Sequence, residues 1–150
     1  MIFISHRGNI NGKNKDQENN PNKINLCLNM GYDVEVDVWN VDGNLYLGHD
    51  NPQHLITLDY LKNDNLWCHA KNKEALEIML KNNIHCFWHQ NDQYTLTSKG
   101  YIWVYPDVSL LQNSIAVMPE LTKYSFTDLK DCYAICSDNI DKYKKDFKNA

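Results

Sequence analysis

Apolar and acidic side chains alternate over residues 32–39, and this segment (YDVEVDVW) most constrains how the chain can fold. Side chains of an extended strand point alternately to its two faces, so the three valines share one face while Glu35 and Asp37 share the other. Such a charged face usually points to water. Here a hairpin turn at Asp42 and Gly43 follows at once and leads to His49. Two carboxylates about 7 Å apart with a histidine nearby in sequence suit a divalent cation, so we expect a metal site.

Further strand-like segments recur along the chain, with helical segments between most of them. Strands are predicted at residues 1–7, 66–71, 85–90, 101–106, 115–119 and 132–138, with a hairpin return at 45–50. Helices are predicted at 21–31, around 58–61, at 71–83 and from 140 onward, with a weaker one at 119–130.

This alternation predicts an α/β fold with parallel strands joined by right-handed crossovers. A barrel of eight βα units needs about 250 residues, whereas this chain has 150. We therefore expect one domain over 1–150, a trimmed TIM-type (β/α) barrel of about seven parallel strands that need not close completely. An open doubly wound sheet is the alternative.

Composition excludes several classes of protein. With 43% hydrophobic and 23% charged residues, the chain can bury its own core. A net charge of -4 disfavours nucleic-acid binding through a cationic surface. No apolar stretch reaches the roughly 20 residues that span a bilayer, and the N-terminus lacks the layout of a signal peptide, so we expect a cytoplasmic protein. The five cysteines lie in apolar segments, and we expect them to be buried and reduced.

Polar residues suited to catalysis recur where the predicted strands end. In a barrel of this kind the reactive groups collect at the carboxyl ends of the strands, so these side chains are expected in one site. Arg7 is the only arginine beside 14 lysines, and its planar fork suits phosphate. The set is His6, Arg7, Glu35, Asp37, His49, Asp50, His69, Lys71 and His89.

Four motifs follow one another in the first third of the chain: HRG at 6–8, EN at 18–19, EVD at 35–37 and DGNLYLGHD at 42–50. Their order and spacing resemble the glycerophosphodiester phosphodiesterase family, within the phospholipase-C-like phosphodiesterase barrels. The resemblance covers residues 4–50, continues weakly through HAK at 69–71 and fades beyond. By this resemblance the general acid–base pair is His6 and His49, the phosphate-binding cations are Arg7 and Lys71, and the metal-binding carboxylates are Glu35 and Asp37, with Glu18 near the metal.

Each residue type also has a common structural role. The acids could form surface salt bridges, the histidines could be hydrogen-bonded structural residues, and the cations could be solvated. Glu18 lies in a long loop, where a position at the start of the helix near Pro21 competes with a metal role.

The resemblance implies cleavage of a phosphodiester. The expected course is attack by a neighbouring substrate hydroxyl, which gives a cyclic phosphate that water can then open. A divalent cation with Arg7 and Lys71 would neutralise the anionic ester, while one histidine accepts a proton and the other donates one. Oxygen ligands favour Mg²⁺ or Ca²⁺.

Two features depart from the family pattern. Two residues before Lys71, the family usually has an acidic metal ligand, and here the position is His69. A ligating imidazole would shift the preference toward Mn²⁺ or Zn²⁺, and the alternative is a weakened metal site. Only 15 residues separate Asp50 from Leu66, so the usual insertion that covers the substrate is nearly absent.

Other interpretations stay open. A zinc site from Cys68, His69, His85, Cys86 and His89 is disfavoured, because neighbours on one strand face opposite sides. Aromatic residues could line the barrel mouth, although core packing is the commoner role: Trp39, Trp67, Trp88, Trp103 and Tyr105.

The main rival to an enzyme is a catalytically degenerate barrel that binds a phosphorylated metabolite or a partner protein. An unclosed barrel edge would also favour a homodimer.

Overall fold

Strands and helices alternate along the chain in the computed structural model, which describes residues 1–150. The ten strands are β1 (Ile2–His6), β2 (Asp33–Val41), β3 (Asn44–Leu47), β4 (His54–Ile56), β5 (Leu66–Ala70), β6 (Cys86–Phe87), β7 (Tyr94–Leu96), β8 (Ile102–Val104), β9 (Ser114–Val117) and β10 (Ala134–Ser137). The helices are α1 (Pro21–Asn29), α2 (Leu58–Leu61), α3 (Lys73–Lys81), α4 (Phe126–Lys130) and α5 (Ile140–Asn149), with a 3-10 turn at Pro119–Leu121. The predicted α/β class is confirmed. None of these helices combines the length and apolarity needed to cross a bilayer.

All ten strands belong to one sheet, in which parallel and antiparallel pairings are mixed. Parallel pairings join seven strands in the order β6-β5-β2-β1-β10-β9-β8. Antiparallel pairings add β3 and β4 beside β2, and β7 beside β8. No strand pairing joins β6 to β8, so the ladder does not close.

The two faces of β2 separate as the alternation predicts. Val34, Val36 and Val38 are fully buried and pack in the larger core cluster, together with residues of α1 and α3. Glu35 and Asp37, also buried, point to the opposite face. The outer face of the sheet is therefore covered by helices, while the inner face receives the acids.

A second, smaller core cluster fills the inside of the curve that the sheet makes. Its eight buried residues come from six of the seven parallel-paired strands: Ile4, Trp67, Phe87, Trp103, Ile115, Val117, Ala134 and Cys136. Phe87 of β6 and Trp103 of β8 stack with ring centroids 4.5 Å apart, so the first and last of the seven parallel-paired strands lie close together. Ser98 N also donates to Cys86 O at 2.8 Å. The sheet thus curls into a half-barrel.

Several predicted boundaries are wrong. Strands β4 and β7 were not predicted, because each has only three residues at a sheet edge and exposes a leucine, Leu55 and Leu96, instead of burying it. The strand predicted at 85–90 contains only β6, because the chain leaves the sheet after Phe87. The weak helix predicted at 119–130 divides into the 3-10 turn and α4, which Ser125 begins with a capping box.

Candidate active site

One pocket of about 360 Å³ lies where the parallel strands end, and it contains most of the predicted site residues. A larger depression of about 1020 Å³, between the loop after β8 and α4, contains none of them. The chemistry therefore identifies the smaller pocket as the candidate site. It is lined by His6, Arg7, Glu35, His49, His69, Lys71, His89, Gln90, Asp92, Trp103, Tyr105, Pro106, Val117 and Met118.

Asp37 is fully buried beside this pocket, and its two oxygens have different surroundings. Oδ2 accepts a hydrogen bond from Asn19 Nδ2 at 2.9 Å and lies 3.0 Å from Arg7 Nε. Oδ1 lies 3.1 Å from His69 Nδ1 and 3.7 Å from Lys71 Nζ. Burial alone would raise the pKa of Asp37, but the positive charges of Arg7 and Lys71 hold that pKa below its ordinary value. This carboxylate is therefore ionised.

Glu35 is the second buried acid, with 2% of its surface exposed. Its Oε2 lies 3.9 Å from His6 Nε2, and its Oε1 lies 3.9 Å from His69 Nδ1. Burial and the negative charge of Asp37 raise the pKa of Glu35 above its ordinary value. A cation placed between the two acids would offset both causes by stabilising the charged form of Glu35.

One ligand atom each from Glu35, Asp37 and His69 lie within 4.8 Å of one another, which suits a shared metal ion. Glu18 lies outside this group. Its Oε2 contacts Arg7 Nη1 at 3.2 Å, and its Oε1 accepts from Asn9 Nδ2 at 3.1 Å.

Buried polar atoms without hydrogen-bond partners concentrate at this site. Buried polar groups in proteins nearly always have a partner, so such atoms need an explanation. Asp37 Oδ1 is close to His69, but the two atoms are not aligned for a hydrogen bond, and the same holds for Arg7 Nε near Asp37. The only four such side-chain atoms in the chain are Arg7 Nε, Glu35 Oε2, Asp37 Oδ1 and His89 Nδ1. Their convergence indicates a site for a charged ligand.

His6 is held by a carboxylate from near the opposite end of the chain. Its Nδ1 lies 2.7 Å from Asp138 Oδ1, and the same oxygen accepts from Asn9 Nδ2 at 2.8 Å. Burial would lower the pKa of His6, but the Asp138 hydrogen bond and the charge of Glu35 raise it above its ordinary value. The ring therefore presents Nε2 to the pocket.

His49 enters the pocket from the loop after β3. Its Nδ1 lies 2.7 Å from Asp50 Oδ1, which also leaves Nε2 free. The ring is more accessible than that of His6, with 39% of the side chain exposed. Burial and the charge of Arg7 lower the pKa of His49. Opposite shifts in two histidines of one pocket suit an acid–base pair.

Arg7 follows β1 in a left-handed conformation, with φ of 54°. A non-glycine residue in this region is strained by about 1–3 kcal/mol and persists only where its surroundings hold it. Arg7 N donates to Glu35 O at 3.0 Å, and Asn19 N donates to Arg7 O at 2.9 Å. The backbone thus fixes the guanidinium between the acids and the pocket.

The zinc alternative receives no support from the geometry. Cys68 and Cys86 pack in the outer core, whereas His69 and His89 line the pocket on the inner face. All five cysteines are free and buried, as predicted.

The aromatic residues considered for the barrel mouth have different locations. Trp103 and Tyr105 line the pocket, and Trp67 lies in the inner core. Trp39 donates a hydrogen bond from Nε1 to Gly48 O, and Trp88 is exposed.

Three positioning residues were missed from the sequence: Asn9, Asn19 and Asp138. Asp138 follows β10, so the rule that barrel sites collect at carboxyl strand ends could have found it. Asn19 is the second residue of the EN motif, but a lone asparagine in a loop gives no sign of its partner. Asn9 carries no such signal either.

Comparisons with models of protein families, with characterised proteins and with solved structures find no match to this chain.

Proposed function

We propose that this chain is a metal-dependent phosphodiesterase that cleaves a glycerophosphodiester-like or related small-molecule diester. The observation that carries the proposal is the convergence of unpartnered buried atoms from Arg7, Glu35 and Asp37 on a pocket that two histidines also line. A charged ligand is needed there, and the site offers groups for both a cation and an anion. The early motifs that resemble the glycerophosphodiester phosphodiesterase family support the same activity.

The fold is compatible with this proposal. We interpret the seven parallel-paired strands as a trimmed (β/α) barrel, with β3, β4 and β7 as antiparallel additions. The pocket lies at the carboxyl ends of those strands, where active sites of such barrels are found. Little chain covers the pocket between His49 and β5, so the alcohol groups of the diester are not closely restricted on that side.

The cations of the site would bind the phosphate. Arg7 holds Asp37 through Nε and Glu18 through Nη1, and it still lines the pocket. Lys71 Nζ reaches the pocket above Asp37. A divalent ion held by Glu35, Asp37 and His69 would supply a further positive charge that polarises the phosphoryl group. Together these charges offset the negative charge that repels a nucleophile.

The two histidines would move the protons. Both have Nδ1 hydrogen-bonded to a carboxylate, which fixes each ring with Nε2 toward the pocket. One Nε2 takes the proton of an attacking hydroxyl of the substrate, and the other gives a proton to the leaving alkoxide. A neighbouring substrate hydroxyl would give a cyclic phosphate, which water then opens with the two histidines in exchanged roles. For a diester without such a hydroxyl, such as bis(p-nitrophenyl) phosphate, water would be the nucleophile and would give its proton to the same histidine.

A binding module without turnover is the second candidate, and one observation favours it. Arg7 and Lys71 already pair with Asp37, and Arg7 pairs with Glu18. The charges are therefore partly balanced within the protein, as suits a site that only holds a phosphorylated metabolite. Exposed leucines on the sheet-edge strands β4 and β7 would suit a partner protein or a homodimer. Five buried, reduced cysteines suit a cytoplasmic location.

Hydrolysis of bis(p-nitrophenyl) phosphate separates these candidates. The wild-type chain should release p-nitrophenol with Mn²⁺, Mg²⁺ or Ca²⁺, and chelation should stop it. His6→Ala and His49→Ala should each lower turnover by about 100-fold or more, while His54→Ala, outside the pocket, should not. Turnover that survives both substitutions refutes the enzyme. Inorganic phosphate that binds without any turnover supports the binding module.

A further inference from the structure

The ring of His69 packs against two other aromatic rings at the site. It stacks on Phe87 with centroids 5.2 Å apart and an interplanar angle of 5°, and on His89 with values of 4.6 Å and 9°. Phe87 and His89 also lie nearly parallel to each other with centroids 6.0 Å apart, so both rings pack against His69 without enclosing it. Rotation of the His69 ring about its bond to the strand would displace one of these neighbours. Its two nitrogen atoms therefore keep their directions.

One of those nitrogens has a partner that determines the tautomer. His69 Nε2 lies 3.3 Å from the backbone oxygen of His89. A carbonyl oxygen only accepts hydrogen bonds, so Nε2 carries a hydrogen, and in the neutral ring the lone pair is on Nδ1. A backbone carbonyl that accepts from the remote nitrogen is the usual second partner of a metal-ligating histidine.

The lone pair on Nδ1 faces negative oxygens. Asp37 Oδ1 is 3.1 Å away and Glu35 Oε1 is 3.9 Å away, yet Asp37 Oδ1 accepts no hydrogen bond. The Nδ1 and Oδ1 atoms are close but not aligned for a hydrogen bond, so the oxygen keeps its lone pairs free. Three electron-rich atoms that face one another at these distances favour a cation between them.

We propose that Glu35, Asp37 and His69 form a mixed nitrogen–oxygen centre that selects Mn²⁺ or Zn²⁺ over Mg²⁺ and Ca²⁺. The proposal rests on the proposed function, whose metal site it specifies. Imidazole nitrogen suits transition metals, whereas Mg²⁺ and Ca²⁺ prefer sites built from oxygen alone. Asn19 holds Asp37, as the His89 carbonyl holds His69, so two of the three ligands have fixed orientations.

Direct binding of Mn²⁺ tests this preference without substrate. The electron paramagnetic resonance signal of free Mn²⁺ should disappear as the protein is added, and Mg²⁺ or Ca²⁺ should compete only at concentrations at least about 10-fold higher. Zn²⁺ should compete efficiently. Electron spin echo spectra of the bound Mn²⁺ should show coupling to a nitrogen nucleus, since the ligand is an imidazole.

Substitution of His69 gives the decisive comparison. His69→Asp should abolish the nitrogen coupling and reduce the preference for Mn²⁺ over Mg²⁺ by about 10-fold or more. His69→Gln, which keeps the shape but lacks the imidazole, serves if the aspartate variant does not fold. His85→Gln, a buried histidine outside the pocket, should keep the coupling.

The outcomes separate this inference from the proposed function. Mn²⁺ bound with nitrogen coupling but without hydrolysis supports the centre and refutes the enzyme. Hydrolysis with Mg²⁺ equal to that with Mn²⁺, and no nitrogen coupling, overturns the centre and leaves the enzyme. Coupling that persists in His69→Asp also overturns the assignment of His69.

Discussion

His6 and Asp138 lie 132 positions apart in the sequence, yet Nδ1 of the histidine is 2.7 Å from Oδ1 of the aspartate. The parallel pairing of β1 with β10 produces this contact, since it places Ser5 beside Ser137. Asp138 is itself held by Asn9 and, through its backbone N, by Glu120 Oε1. The first and last strands of the sheet therefore jointly orient one imidazole.

Asp138→Asn should lower the turnover number for bis(p-nitrophenyl) phosphate by about 100-fold, with little change in KM. The amide keeps the shape but loses the charge that stabilises the protonated ring. Asp50→Asn at the exposed partner of His49 is the matched control, and it should cost less than about 10-fold, because solvent screens that pair. Equal effects of the two substitutions would contradict a special role for Asp138.

Asn19→Ala should weaken both the fold and the metal site. Asn19 donates to Asp37 Oδ2 and accepts from Asp37 N, both at 2.9 Å, and its backbone is left-handed. We expect the free energy of unfolding in denaturant to fall by about 2–4 kcal/mol and the affinity for Mn²⁺ to fall about 10–100-fold.

Asn20→Ala provides the control for that variant. Asn20 caps α1 by accepting from Asn22 N at 2.9 Å and does not contact the acids. It should cost about 1 kcal/mol of stability and leave Mn²⁺ affinity unchanged. If both variants lose Mn²⁺ affinity equally, the effect of Asn19→Ala is general loosening and not loss of support for Asp37.

His85 should make the protein less stable in acid. Burial lowers the pKa of His85 to about 4, so the folded state takes up its proton later than the unfolded state does as pH falls. The contribution of this residue to stability is complete above pH 6.5 and is lost toward pH 4, by about 3 kcal/mol in total. In His85→Gln the free energy of unfolding should depend less steeply on pH across this window, and an unchanged slope would refute the expectation.

Gly48 should tolerate no side chain. Its φ is 154°, and an added Cβ would overlap the carbonyl oxygen of Asn51. Gly48→Ala should displace the turn that holds His49, with a loss of turnover of about 100-fold or more. Gly100 also has a positive φ, but nothing lies within 4 Å of the Cβ that Gly100→Ala would add. That control should cost about 1 kcal/mol of stability and leave turnover unchanged.

Local patterns predicted the parts of the fold in which burial and periodicity agree. The alternation in β2 placed Glu35 and Asp37 on the inner face, and the apolar spacing of α3 predicted a helix that packs on the sheet. Edge strands such as β4 escaped prediction because their pairing comes from β3 and not from their own side chains.

The site residues likewise divide into those that local sequence patterns predict and those that they do not. Residues at strand ends, such as His6 and His69, could be assigned to one site because parallel strands end together. The Asp138 contact depends on which strands are neighbours, and the sequence does not state that order. Asn19 depends on the path of a long loop, for which no periodicity exists.

The gap between β6 and β8, the two end strands of the parallel-paired set, also affects how the molecule moves. Elsewhere neighbouring strands share a ladder, but here a single backbone hydrogen bond, from Ser98 N to Cys86 O, crosses the gap. Side chains make the other contacts, among them Cys86 N with Ser98 Oγ and Phe87 with Trp103. Strands β1 and β2 are paired on both sides, whereas only one backbone hydrogen bond crosses this gap, so the amides beside the gap should exchange with solvent before those of β1 or β2. Because His89 and Trp103 border both the gap and the pocket, transient opening there would give bulky molecules a lateral entrance.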